Sequence, residues 1–558
     1  MIARVGVLLA LLIGAVAAAG ALSFALTIPL SPITLVVSML CAIVWLWPRL
    51  GAPRDAARSI GVAAAIVVAS LVCASLIFDL SFDGQTYHQS AVRLLAGGWN
   101  PVWHAQNVTA LPNGLFIETL PKAAWVVEAM LFQATGSLEC AKGIGLVALA
   151  AAFLLAWAAL KSLGVRSRAA MTIAALSAAS PIAMIELLSF YVDGLVVSAL
   201  VMVIALFVLW LRSDAQLFAP ALVLMAAFLV NLKFTGGVYA AITAVLAVAI
   251  IGLRARDRLR AALVIGAFAA TLALIEGLNP YVTNMVHHGH PAFPGAGAGA
   301  VPVVALVWRD SAFAGRSAPA QLATSIFAES TADDAAPPTL KLPFTIRARE
   351  IAAFVTVDTR LGGWGPWFSA ALVTALLILA AAAARGTPRA QLFLGVTLLL
   401  ILSGLAVPAG GYARYAPQLW LACLPALLLD DLRGWSSRAL AAVMTVNIVM
   451  VSATSLGAQL FVERLHRAQL ATLALDAGAD AITVSQFEAP FVNVDLHFDA
   501  FGIRWQASEM PLCAKPAKLL GTHALICFSG ARSPAPTPDP LAVASTFVSA
   551  LGTERFRQ

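Results

Sequence analysis

Apolar run follows apolar run along this chain, most of them close to the length of a bilayer-crossing helix. A transmembrane α-helix needs about 20 mostly apolar residues to span the roughly 30 Å hydrocarbon core. Such runs occupy 5–28, 30–47, 60–78, 142–160, 169–188, 195–211, 217–230, 238–253, 259–278, 366–384, 390–407, 418–430 and 438–456. No single water-soluble core absorbs that much apolar surface. Of the 558 residues, 61% are hydrophobic and only 11% are charged, against about 25% charged in soluble domains. The pattern predicts an all-α polytopic membrane protein with about 11–13 transmembrane helices, because the 217–230 and 418–430 runs are short. The first run lacks a clear small-residue cleavage site and a second run follows it directly, so it reads as a retained helix.

The formal charge of +7 would suggest nucleic acid in a soluble protein. Here its distribution points elsewhere. Arg49, Arg54 and Arg58 follow the second run, Lys161, Arg166 and Arg168 the fourth, and Arg212 the sixth. Arg254 to Arg260 follow the eighth, Arg385 and Arg389 the tenth, and Arg433 and Arg438 flank the last gap. If the runs alternate in direction, all of these lie on one side, which the positive-inside rule assigns to the cytoplasm. No interleaved basic and aromatic surface is present, so nucleic acid is not an expected partner.

The opposite, periplasmic side then receives the loops 79–141 and 279–365, three short turns, and everything after residue 456. The expected domains are an N-terminal helical hairpin (1–59), a transmembrane core (60–456) and a periplasmic C-terminal domain (457–558). That last segment has a helix-like run at 460–475, β-like runs AITVS (481–485) and HALICF (523–528), and a Pro-rich patch at 534–540. A small α/β domain is the expectation. There are six cysteines. Cys513 and Cys527 form a disulfide in an oxidising periplasm or stay free and buried, and the sequence leaves both open.

The chemically unusual residues gather on the same side. FDLSFDGQTYHQ (78–89) places Asp79 and Asp83 four apart at the outer end of an apolar run. If the helix continues they share a face and aim into one cavity; otherwise they are a solvated helix end or an N-cap. A lone carboxylate there suits a general base for a hydroxyl nucleophile. Tyr87 and His88 follow closely. Asp193 lies in FYVDG, Lys233 in NLKFTGG, and Arg414 with its neighbour Tyr415 in GGYARYAP. Lys233 and Arg414 either snorkel to lipid headgroups or, with the carboxylates, line a cavity for a sugar and a phosphate. His287, His288 and His290 are spaced closely enough to consider a metal, but an ordinary loop accounts for them better. RLGGWGPW (360–367) combines tight-turn glycines with aromatic residues suited to a membrane interface.

DGQTYHQSAVRLLAGGWNP, LPKAAWVVEAMLFQATGSLECAKGI, FYVDG, NLKFTGG, NPYVTN with HGHP, GGWGP and ARYAPQLW occur in that order. Over roughly 75–430 this set resembles a bacterial branch of the GT-C superfamily, integral-membrane glycosyltransferases that use polyprenyl-phosphate-linked sugars. The resemblance implies a GT-C-like fold and an inverting transfer on the outer face of the bacterial inner membrane. It implies Asp83 as the catalytic base, with Asp79 as the second candidate. Tyr87, His88, Lys122 (in LPKAAWVVEAM), Asp193, Lys233, His290, Arg414 and Tyr415 would bind the substrates, Arg414 and Lys233 gripping the donor phosphate. Segments 85–97 and 115–133 would be interfacial helices. The sequence departs from the family in its two leading runs and in an Asp-x-x-x-Asp spacing where a tighter acidic pair is usual. No cofactor is called for, and dependence on a divalent metal is left open. The expected partners are the lipid-linked donor, membrane lipid, and a glycan, lipid or protein acceptor. A glycan polymerase or ligase, a lipid-linked glycan transporter and a non-catalytic envelope scaffold are the competing functions.

Overall fold

The computed structural model describes residues 1–106, 113–213, 215–301, 313, 315–332, 337–407, 409–478, 480–486, 493–508, 513, 516–522 and 524–528. The Pro-rich patch at 534–540 lies outside the described residues. The protein is mostly helical. Among the described residues, nine helices are long and apolar enough to cross a membrane, and three shorter apolar helices accompany them, 216–232, 368–384 and 417–428.

Local chemistry sets the helix ends. Proline occupies the first helical position at Pro32, Pro53, Pro181 and Pro388, where its missing N–H costs nothing. Ser31, Ser137 and Ser180 accept hydrogen bonds from the backbone N–H three residues on, capping the helices they precede. The same rules correct two of the expected spans. The run 169–188 is two helices, Ser167–Ala178 and Pro181–Ile185, because the Ser180–Pro181 step holds Ser180 extended. The run 418–430 is a 3-10 segment, Pro417–Cys423, joined to the short helix Leu424–Leu428.

The leading pair of runs folds unequally. The Ile2–Ala25 helix is buried in the middle of the bundle, packed on Ile144–Ser162, Ala215–Leu232 and Leu259–Glu276, whereas Pro32–Leu46 lies outside it. Basic side chains tie turns to their neighbours. Arg166 donates to the carbonyl of Asp431 (2.5 Å), Arg389 to that of Leu428 (2.7 Å) and Arg258 to that of Trp210 (2.6 Å).

The last of the long helices, Trp435–Ala477, is continuous for 43 residues. At 1.5 Å per residue it is about 65 Å long, twice a bilayer core. The apolar run 438–456 and the helix-like run 460–475 are thus one rod, which carries the C-terminal domain at its far end. That domain has a four-stranded sheet: β1 (Ile482–Gln486), β2 (Trp505–Ser508), β3 (Ala517–Lys518) and β4 (Ala524–Phe528), ordered β2-β1-β4-β3. β1 is parallel to β2 through the crossover helix Val494–Ala500 and antiparallel to β4. The small α/β unit expected from AITVS and HALICF is present. Its core, built on Leu470, Leu473, Val484, Phe498 and Ile526, also takes in Phe78 from the far side of the chain. Cys513 and Cys527 are disulfide-bonded.

Candidate functional site

The helix Pro53–Ser75 ends before the opening acidic stretch, so Asp79 and Asp83 do not share a helix face. This replaces the expectation of two carboxylates one turn apart. Asp79 turns inward. Its Oδ1 accepts from the Ser81 N–H (2.9 Å) and its Oδ2 from the Phe190 N–H (2.8 Å). Its own N–H donates to Glu139 Oε2 (3.0 Å). Burial pushes the Asp79 carboxyl up to about 6, with Lys142 working against it. Gly84 packs directly on this carboxylate; a Cβ there would collide with Asp79 Oδ2 and Ser81 Oγ. Asp79 is a fastening of the chain.

Asp83 faces the other way. A π turn over Gly84–His88 follows it and brings Tyr87 back to its side, so the Tyr87 hydroxyl donates to Asp83 Oδ2 (3.4 Å). Wide turns of this kind often mark functional sites. The Asp83 N–H donates to the Tyr191 hydroxyl (3.3 Å). Behind Tyr87, His88 lies with its ring centre 4.2 Å from that of the phenol, the two rings tilted, and accepts from Trp125 Nε1 through Nδ1 (2.7 Å). Burial lowers the His88 ring well below its usual range, and nearby Arg414 adds to the effect, so the imidazole stays neutral.

Arg414 is the centre of the site. Its Nη2 donates to Asp83 Oδ2 (2.6 Å), its Nε to Asp193 Oδ2 (3.2 Å) and its Nη1 to Asp358 Oδ1 (3.0 Å). The guanidinium lies 4.6 Å from the Tyr191 ring centre and 5.5 Å from that of Tyr415. Burial alone would weaken its charge, but Asp83, Asp358 and Asp193 hold it firmly protonated. Lys233 pairs with the other oxygen of Asp193 and sits 4.3 Å over the Tyr415 ring. Arg360 flanks Asp358 at 3.6 Å. Three carboxylates are therefore met by three cations.

Each member arrives from a different element. Asp193 is the first residue of the helix Asp193–Arg212, where the helix dipole favours a carboxylate. Lys233 stands at the break between Ala215–Leu232 and Phe234–Arg254. Arg414 lies in a 3-10 turn that is fixed from two sides. Trp364 Nε1 donates to the Ala416 carbonyl (3.0 Å), and the Tyr239 hydroxyl to that of Tyr415 (2.6 Å). RLGGWGPW packs against this turn closely enough that a Cβ on Gly363 would meet Thr359 and Ala413 at under 3 Å.

The structure thus brings together Asp83, Tyr87, Asp193, Lys233, Arg414 and Tyr415, with His88 behind them. Lys122 and His290 are engaged elsewhere. Lys122 Nζ donates to the carbonyls of Glu118 and Leu120, both at 2.9 Å, and burial takes its amine down to about 7, with Glu118 opposing. His290 Nδ1 accepts from the Ala292 N–H (3.1 Å), and His288 stacks on Phe293. Among the described residues, no three His, Cys, Asp or Glu side chains are grouped to hold a metal ion. Two members were missed at the level of sequence, Tyr191 and Asp358. Tyr191 was in plain view, two residues before Asp193. Asp358 lies deep in the 279–365 loop, and its only signal is its place two residues ahead of Arg360 and the glycine-rich turn.

The C-terminal domain grips the segment that carries Asp83. Gln85 Nε2 donates to the Gly521 carbonyl (2.8 Å), and Arg93 forms a two-pronged pair with Asp495, both contacts at 2.8 Å. His497 approaches Glu139 at 3.8 Å and hydrogen-bonds His466 at 3.0 Å. Burial, reinforced by His497, pushes His466 down to about 3, so it stays neutral.

No protein-family profile, no curated protein and no solved structure matches this chain.

Proposed function

We propose that the protein is an inverting glycosyltransferase of the bacterial inner membrane, drawing on a polyprenyl-phosphate-linked sugar with its site and C-terminal domain toward the periplasm. The observation that carries the reading is the Arg414 centre. A guanidinium and an ammonium at the end of an apolar bundle suit the phosphate of a donor whose lipid tail stays in the bilayer. The acceptor hydroxyl gives its proton to Asp83 as its oxygen forms a bond to C1 of the sugar. The C1–O bond to the phosphate breaks, and its electron pair leaves with the phosphate, whose growing charge Arg414 and Lys233 stabilise. Tyr87 orients the Asp83 carboxylate. The phenols of Tyr87 and Tyr191 are pushed well above their usual range, and that of Tyr415 to about 12, chiefly by burial, so all three remain hydrogen-bond donors. The grouping of these charges at one end of the helices also favours an enzyme over a transporter, which needs polar groups near the bilayer midplane.

The test is genetic and chemical. The gene is deleted and restored as wild type, Asp83→Asn or Asp79→Asn, and the envelope glycans are compared by mass spectrometry with membrane levels checked by blot. One sugar mass should vanish on deletion and return with wild type, and Asp83→Asn should not restore it. Full restoration by Asp83→Asn would remove the proposed base and favour a scaffold or transporter.

A further inference from the structure

Arg414 has no nitrogen to spare. Nε, Nη1 and Nη2 each face a separate aspartate, and the side chain is only 5% exposed. These contacts engage three of the five N–H donors, and with so little of the side chain exposed the most direct way for a phosphate to reach it is to take the place of one carboxylate. The three are not held equally. Asp193 is 1% exposed and also pairs with Lys233. Asp358 has Arg360 beside it as a second cation. The Asp83 carboxylate is as exposed as that of Asp358, 15% each, but it has no second cation: apart from Arg414 only the Tyr87 hydroxyl, at 3.4 Å, reaches it among the described residues. Asp83 is the carboxylate with the least to lose.

We infer that the donor phosphate displaces Asp83 from Arg414, so that the base is released only when the donor is in place. This deepens the glycosyl-transfer reading above and rests on it. Lys233 is suited to complete the phosphate contact. An ammonium has three donors, and Asp193 is the single ion-pair partner of Lys233 among the described residues. One anion replaces another at Nη2, so the exchange leaves no buried cation uncompensated. The consequence is an order of events. Before donor arrival Asp83 is tied into an ion pair; afterwards its Oδ2 is free to accept the acceptor's proton. Binding of the donor and arming of the base become one step.

The inference is tested by binding, apart from turnover. Full-length protein in detergent, eluting as a single species, is titrated with farnesyl phosphate, with farnesol and inorganic phosphate as controls. In wild type the phosphate must break a charge-assisted hydrogen bond; in Asp83→Asn and Asp83→Ala that competitor is weakened or gone. Both variants should bind farnesyl phosphate about tenfold more tightly than wild type, or better, while Arg414→Gln loses the binding. If wild type binds and both Asp83 variants bind equally or more weakly, displacement of Asp83 is wrong, although the phosphate site stands. If neither wild type nor either Asp83 variant shows binding above the farnesol control, the donor class itself is wrong and this inference goes with it.

Discussion

Asp79 gives both carboxylate oxygens to backbone N–H groups and is 2% exposed, with its carboxyl at about 6 rather than 3.8. The sign of the linkage follows. Between about pH 4 and pH 6 the folded protein keeps a proton that the unfolded chain has released, so stability from this group falls as pH rises through that window and is level above it. A two-unit shift corresponds to something on the order of 3 kcal/mol. Melting temperatures in detergent across this window should therefore fall less steeply in Asp79→Asn than in wild type, and identical slopes would show that Asp79 does not titrate there. Gly84→Ala should lower the melting temperature too, because its Cβ falls on the Asp79 carboxylate. Nothing in FDLSFDGQTYHQ separates the two aspartates. Their roles depend on Phe190 and Arg414, which are 111 and 331 residues away from their respective partners.

At the level of elements, the 43-residue helix and the domain at its end determine where Asp83 sits. The domain's core includes Phe78, the turn at Gly521 holds Gln85, and Asp495 of the helix Val494–Ala500 holds Arg93. The Cys513–Cys527 disulfide ties Cys513 to β4, which lies between β1 and β3. Closing a loop of about 15 residues is worth roughly 3 kcal/mol in the chain-entropy view. Cys513→Ser, or wild type under reductant, should therefore lose its C-terminal segment to limited proteolysis at lower protease concentration than oxidised wild type. Equal resistance would show that packing alone holds the domain. The strands of this domain could be read from AITVS and HALICF because short alternating or continuously apolar runs are local signals. The clasp could not, since its partners lie about 400 residues apart in the chain, as Arg93 and Asp495 do.

For the molecule as a whole, hydropathy located the helices well because a membrane-length apolar run is itself a structural requirement. It failed at Pro181, where proline cut the run 169–188, and at 418–430, where a 3-10 segment takes the place of a full helix, since apolar composition carries no record of backbone breaks. Basic side chains bond to carbonyls of neighbouring turns, and the Arg414 centre lies among turns that alternate with the basic ones along the chain. The proposed orientation, with the basic turns in the cytoplasm, rests on the positive-inside rule. Single cysteines at His287 and Arg168, both exposed, in a background with Cys41 and Cys73 changed to alanine, test this directly. A membrane-impermeant maleimide should label His287→Cys in intact spheroplasts and Arg168→Cys only after permeabilisation. The opposite pattern would turn the Arg414 centre toward the cytoplasm. There, soluble nucleotide-linked sugars reach an active site without a lipid carrier, and the cations would be facing a diphosphate rather than the single phosphate of a polyprenyl donor.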